Sequence, residues 1–150
     1  MSDSIVNINR QRALCSYRFI NDTYERMKDK VESNGEEAEY WKKNIKQLRT
    51  ICRKLPVLIQ QNGLATTLVF LKGKEKKKNE QSEKTNIEQQ IYDVIINWFV
   101  DCDYIKEDKK EKFLEELLEC NMDTYMFMEK EAIEFAIWMR RNGDGIIDID

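Results

Sequence analysis

The stretch Trp41-Lys42-Lys43-Asn44-Ile45-Lys46-Gln47-Leu48-Arg49-Thr50-Ile51-Cys52-Arg53-Lys54-Leu55 decides the fold class. Trp41, Ile45, Leu48, Cys52 and Leu55 recur at steps of four and three. On a helix that spacing draws one apolar stripe, whereas a strand would alternate every second residue. Lys42, Lys46, Arg49 and Arg53 fall within roughly 60° of one another, on a face centred about 110° from the stripe. Burying the stripe therefore leaves a cationic ridge roughly 16 Å long facing outward. From Tyr40 to Lys74 the sequence has no Asp or Glu, and its basic residues are Lys42, Lys43, Lys46, Arg49, Arg53, Lys54, Lys72 and Lys74. No acid at i±4 neutralises the ridge, unlike an ordinary solvated helix face of mixed sign.

The same periodicity continues on both sides. Ala13, Tyr17, Ile20, Tyr24, Met27 and Val31 predict a first helix from about Asn9 to Ser33, ended by Asn34-Gly35 with Gly35 suited to a left-handed cap. Glu36, Glu37 and Glu39 favour the start of the second helix, which runs from near Glu36 to about Lys54. Pro56, the only proline, breaks or kinks the chain there. A short apolar helix from Val57 to Gln61 follows, closed by Asn62-Gly63, and then a helix from Leu64 to Lys72. Gly73 to Thr85 has no apolar residue and a lysine run, so it reads as a mobile, solvated linker.

Beyond it three more helices are expected. The first is capped by Thr85 or Asn86 and buries Ile87, Ile91, Val94, Ile95 and Trp98. The second starts near Glu107 and is marked by Phe113, Leu114, Leu117 and Leu118. The third is capped by Asp123, carries Tyr125, Met128, Ala132, Phe135, Ala136 and Met139, and stops at Asn142-Gly143. The residues from Asp144 to Asp150 read as irregular or weakly extended. With five Gly and one Pro in 150 residues, an all-β architecture lacks its turn residues. The expected fold is all-α: one compact domain over 1–150, a bundle of about six helices kinked at Pro56.

The chain has no histidine. That removes His-based acid–base catalysis, the usual Ser-His and Cys-His nucleophile pairs, and most zinc sites. Cys15, Cys52, Cys102 and Cys120 form no CxxC and read as small buried hydrophobes in a reducing compartment. Glu115-Glu116 and Glu129, Glu131 and Glu134 read as acidic helix faces with no nucleophile beside them, so no enzyme is expected. Asn142-Gly143-Asp144-Gly145 has the look of a calcium loop, but its first ligand position would fall on Arg140, and the spacing fails. No cofactor or metal is expected. Neither a secretory leader nor a membrane span is evident, and the expected location is the cytoplasm.

Net charge −3 conceals a polarity: residues 1–84 carry 18 basic and 11 acidic side chains, and residues 85–150 carry 7 and 17. Such halves favour head-to-tail stacking of copies. A ridge of Arg and Lys suits a row of phosphates, but charge pattern alone equally allows a protein partner or a solvated face.

The run from Arg53-Lys54-Leu55-Pro56 through Asn62-Gly63-Leu64-Ala65-Thr66-Thr67 to Phe70-Leu71-Lys72 resembles the small subunit of the Cmr complex, the type III-B CRISPR RNA-guided effector. The likeness extends more loosely to Arg12–Tyr24 and to the last helix, with Ala132 and Trp138-Met139-Arg140-Arg141. The specific part covers about 20 residues, and the acidic second half with its isoleucine-bearing end lies outside it. The resemblance implies a small, all-helical, non-catalytic subunit that stacks in a few copies among the other Cmr subunits and lines the channel where target RNA pairs with guide RNA. The implied contact is with the RNA backbone, through Lys42, Lys46, Arg49 and Arg53 on the ridge and Lys54, Lys72 and Lys74 beyond it. Arg140 and Arg141 are further candidates, although for this pair complementing the end of the last helix is the favoured reading. Arg10, Arg12, Arg18 and the linker lysines Lys76 to Lys78 rank lower. The alternative is a helical adaptor that binds only proteins, with Trp41, Trp98 or Trp138 as interface anchors.

Overall fold

The computed structural model describes residues 2–33, 35–73 and 86–149. Among them it contains α1 (Ser2–Ser33), α2 (Ala38–Asn62), α3 (Leu64–Gly73), α4 (Ile87–Asp101), α5 (Phe113–Glu119) and α6 (Met122–Ile146). Short 3-10 helices at Gly35–Glu37 and Glu107–Lys112 lead into α2 and α5, and no strand is present among these residues. The protein is all-α, as the periodicity requires. The expected mobile linker falls almost wholly outside the described residues; only its first residue, Gly73, lies inside, as the last residue of α3.

The chain divides into two compact units, Met1–Pro56 with Glu134–Asp150, and Val57–Ile133. The division falls inside α2 and inside α6. It does not follow the basic and acidic halves of the sequence: the first unit holds 14 basic and 12 acidic side chains, the second 11 and 16. The polarity keeps its sign but shrinks, because the lysines of residues 72–84 fall in the second unit and the acids from Glu134 onward fall in the first.

In the first unit Ile20, Tyr24 and Met27 of α1 and Ile45, Leu48, Cys52 and Leu55 of α2 are buried. The α1 stripe is rotated from expectation. Tyr17 is half exposed, while the small polar residues Ser16 and Thr23 are buried. Asn142 explains the choice at Ser16: its amide donates to the Ser16 hydroxyl and to the Ala13 carbonyl, at 3.2 Å for the latter. Pro56 does not divide two helices. It lies inside α2, and the short helix expected after it is the last stretch of the same helix.

The expected stop at Asn142-Gly143 is likewise overturned, since α6 runs on to Ile146. Gly143 is a packing residue: a Cβ there would stand 3.2 Å from the Cys52 Cβ. Two residues that resemble a helix terminator thus hold α6 against α1 and α2.

In the second unit Leu64, Leu68 and Leu71 of α3 pack with Ile87, Ile91, Ile95 and Phe99 of α4, all essentially inaccessible. Asn86 caps α4 through its side-chain oxygen, which accepts the Gln89 N–H at 2.7 Å. Asn121, not Asp123, plays that part for α6, accepting the Thr124 N–H at 2.9 Å. Phe113 and Leu117 of α5 are buried, with Phe113 tilted against Phe99 at 5.5 Å between ring centroids, whereas Leu118 is exposed.

The turn Asn62-Gly63-Leu64 is where glycine is required. Gly63 has φ +89, a left-handed conformation that a side chain strains. Behind it, Glu129 accepts the Leu64 N–H at 2.9 Å and the Tyr125 hydroxyl accepts the Ala65 N–H at 3.1 Å. The two side chains satisfy orphan amides at the start of α3, and the carboxylate complements its dipole. The Thr67 hydroxyl donates at 2.9 Å to the Gly63 carbonyl. The most recognisable motif in the sequence is therefore a structural joint.

Candidate nucleic-acid interface

The ridge forms on α2 as its spacing dictates. Ile45, Leu48, Cys52 and Leu55 are buried, while Lys42, Lys46 and Arg53 are exposed and Arg49 is partly covered. Lys43 and Lys54 are exposed beside them. Acid-free in sequence, the ridge is not acid-free in space. Lys42 pairs with Glu39 one turn earlier at 3.5 Å. Arg53 donates through Nε to the Asp144 carboxylate at 2.6 Å, and Arg49 donates to the Ile149 carbonyl at 3.0 Å. Both partners of the arginines come from the end of α6 and the segment after it.

A groove of about 440 Å³ lies beside the ridge, with Lys28 of α1 and Lys42, Lys43 and Lys46 of α2 among its lining residues. Asp148 and Ile149 supply part of its wall. Lysine ammonium groups of this kind, on flexible stems around a solvent-open concavity, can meet phosphate oxygens without fixing a sequence. Nearby, Cys52 is chemically quiet: burial first, and the Asp144 charge second, push its thiol up to about 12. At neutral pH it is a protonated core residue, neither nucleophile nor ligand. Cys15, Cys102 and Cys120 are only half-buried, less than expected.

The sequence model of the CRISPR-associated protein family Cas_Cmr5 matches residues 20–146. The chain belongs to the Cmr5 family. That family is the small subunit of the type III-B CRISPR complex, so the Cmr5-family chain is a component of an assembly with other subunits. Among the curated proteins compared, none matches the chain.

Within this Cmr5-family chain the candidate residues separate. Lys42, Lys46, Arg49, Arg53 and Lys54 share one helix of one unit, with Arg140 and Arg141 on the part of α6 that belongs to the same unit. Lys72 belongs to the other unit, where its ammonium lies 5.1 Å from the centre of the Tyr92 ring. Lys74 and Lys76 to Lys78 fall outside the described residues.

Arg140 and Arg141 do not close the last helix. It continues to Ile146, and its last turn carries no basic residue, so complementing the helix dipole is not their role. Arg141 instead stacks over the Trp138 ring at 4.9 Å, and the Trp138 indole donates to Asn9 at 3.0 Å. Arg12 reaches the same Asn9 oxygen at 3.5 Å, which brings Arg12 and Arg141 to one Trp-centred cluster. Lys28 and the contacts that Asp144 and the Ile149 carbonyl make to the arginines were not read from sequence. The apolar stripe of α1 does not say which neighbouring helix stands beside Lys28.

The carboxylates of α6 resolve differently from a solvated acidic face. Glu129 holds the start of α3, and Glu131 is buried and accepts the Trp98 indole N–H at 2.9 Å. Trp98 is thereby a core residue and not an exposed anchor. Among the described residues no cluster of three or more Cys, Asp or Glu side chains could hold a metal ion, and no helix is long and apolar enough to cross a membrane.

Proposed function

We propose that this Cmr small subunit serves its complex without catalysis, stacking in a few copies head to tail and contacting the backbone of guide and target RNA during antiviral interference in the cytoplasm. The observation that carries the reading is the face of α2 on which Lys42 and Lys46 are exposed and Arg49 and Arg53, met by Ile149 and Asp144, continue the same row, in a chain of this family. Phosphate contact positions a strand, and base pairing with the guide supplies the sequence. Lys54, Arg140, Arg141, Lys72 and Lys74 extend the contact as secondary sites. The opposite net charges of the two units, +2 and −5, favour association of unlike faces between copies.

The test is the triple variant K46E/R49E/R53E in the assembled complex. Target-RNA affinity is expected to fall at least about tenfold, and the dependence of log affinity on log salt to flatten by about 2, the release from roughly three phosphates of a single strand. Wild-type affinity with an unchanged salt slope overturns the ridge as an RNA surface.

A purely protein-binding adaptor is the second reading. It is favoured by Leu118, Met122, Met126 and Phe127, four large apolar side chains that are each at least half exposed within ten residues of chain. A complex that purifies with protein and no short guide RNA decides for it.

A further inference from the structure

We propose that the segment after α6, residues 147–149, together with Asp144, is a displaceable strap that occupies the arginines of the ridge until a phosphate backbone takes its place. The inference rests on the RNA reading of the ridge and adds how access to it is controlled.

Four contacts define the strap, all within one unit. Ile147 is buried at 4% exposure and anchors the segment to the core. Tyr24 of α1 donates its hydroxyl to the Asp148 carbonyl at 3.2 Å. Arg49 donates to the Ile149 carbonyl at 3.0 Å, and Arg53 meets Asp144 at 2.6 Å. The chain thus offers the two ridge guanidinium groups what an RNA backbone would offer, an anionic oxygen at one and a neutral oxygen at the other. Asp148 and Ile149 also line the lysine groove, so the segment narrows the concavity that a strand would follow.

The grip is divided in a way that permits exchange. The Ile147 anchor is hydrophobic and insensitive to salt. The pair that holds Arg53 is half exposed, 53% and 47% for the two side chains, and pairs of that kind are weak and screened by salt. A row of phosphates brings several charges at once and can replace one carboxylate and one carbonyl without uprooting Ile147. Displacement would return Arg49 and Arg53 to the face that already carries Lys42 and Lys46, restoring the uninterrupted row read from the sequence.

The experiment compares the wild-type chain, Asp144→Asn and a chain ending at Ile147, which keeps the buried anchor. Each is titrated with fluorescein-labelled oligo(U) as the full subunit, and with target RNA after assembly into the effector complex. Asp144→Asn, which removes the exposed ion pair to Arg53, should bind about two- to fivefold tighter at low salt with a steeper salt dependence, and the chain ending at Ile147, which keeps that pair but frees Arg49 from the Ile149 carbonyl, should also bind tighter, by about twofold. Thermal melts matching wild type confirm that the shortened chain is folded, and Asp144→Asn supplies the same answer without shortening. Equal RNA affinity in all three chains overturns the strap and leaves the ridge as an RNA surface. A gain for oligo(Glu) and none for oligo(U) overturns it in favour of an acidic protein segment. Absence of RNA binding by every chain in both formats overturns the RNA contact and the strap together.

Discussion

In the unit of residues 57–133, Glu131 lies buried under the Trp98 indole and Glu129 takes the first amide of α3 at 2.9 Å. In the unit of residues 1–56 and 134–150, Asp144 meets Arg53 at 2.6 Å with about half of each side chain in solvent. All three acids stand on α6, and formal charge does not distinguish them. Their surroundings do. A buried carboxylate leaves its donor unsatisfied when removed, at a cost of about 1–3 kcal/mol, whereas an exposed ion pair returns both partners to water for about 0–1 kcal/mol. One helix therefore carries acids that hold the fold at one end and an acid available for exchange at the other.

Three substitutions bear on that contrast. Glu131→Ala should be the most damaging, costing about 2–3 kcal/mol because the Trp98 N–H is left buried without its acceptor. The check is a denaturant titration, and a loss below about 0.5 kcal/mol would place Glu131 with the exposed acids instead. Glu129→Ala should cost about 1 kcal/mol, the usual worth of a capping side chain, with the added signature of faster amide exchange at Leu64. Asp144→Asn should leave stability within about 0.5 kcal/mol of wild type while altering polyanion binding. A large loss of stability there would erase the distinction between the two ends of α6.

The all-helical class was legible because the apolar stripes at Trp41–Leu55, at Leu64–Leu71 and at Met128–Met139 are long and regular. One place where the reading failed was punctuation. Pro56, Asn142 and Gly143 carry strong local signals for a break, and at each of them tertiary packing overrides the local preference. Pro56 is itself buried in α2, and Asn142 finds its partners on a helix more than a hundred residues away in sequence. The ridge was legible as a face because helix geometry fixes it. Its covering by Asp144 and Ile149 was not, since that contact depends on α6 running on past Asn142 and on the approach that Gly143 permits. The acidic glutamates were misread for the same reason: a capping role is set by the element that packs opposite, and Leu64 is remote from Glu129 along the chain.

The contact between Gly143 and Cys52 makes these two positions share a single volume. A Cβ at 143 would stand only 3.2 Å from the Cys52 Cβ, so a side chain there would have to push Cys52 aside by a few tenths of an ångström. Sequence drift at position 143 is thereby bounded from a site ninety-one residues away. The spacing between α2 and α6 that brings Asp144 within reach of Arg53, the next residue along on each helix, is inherited from that contact.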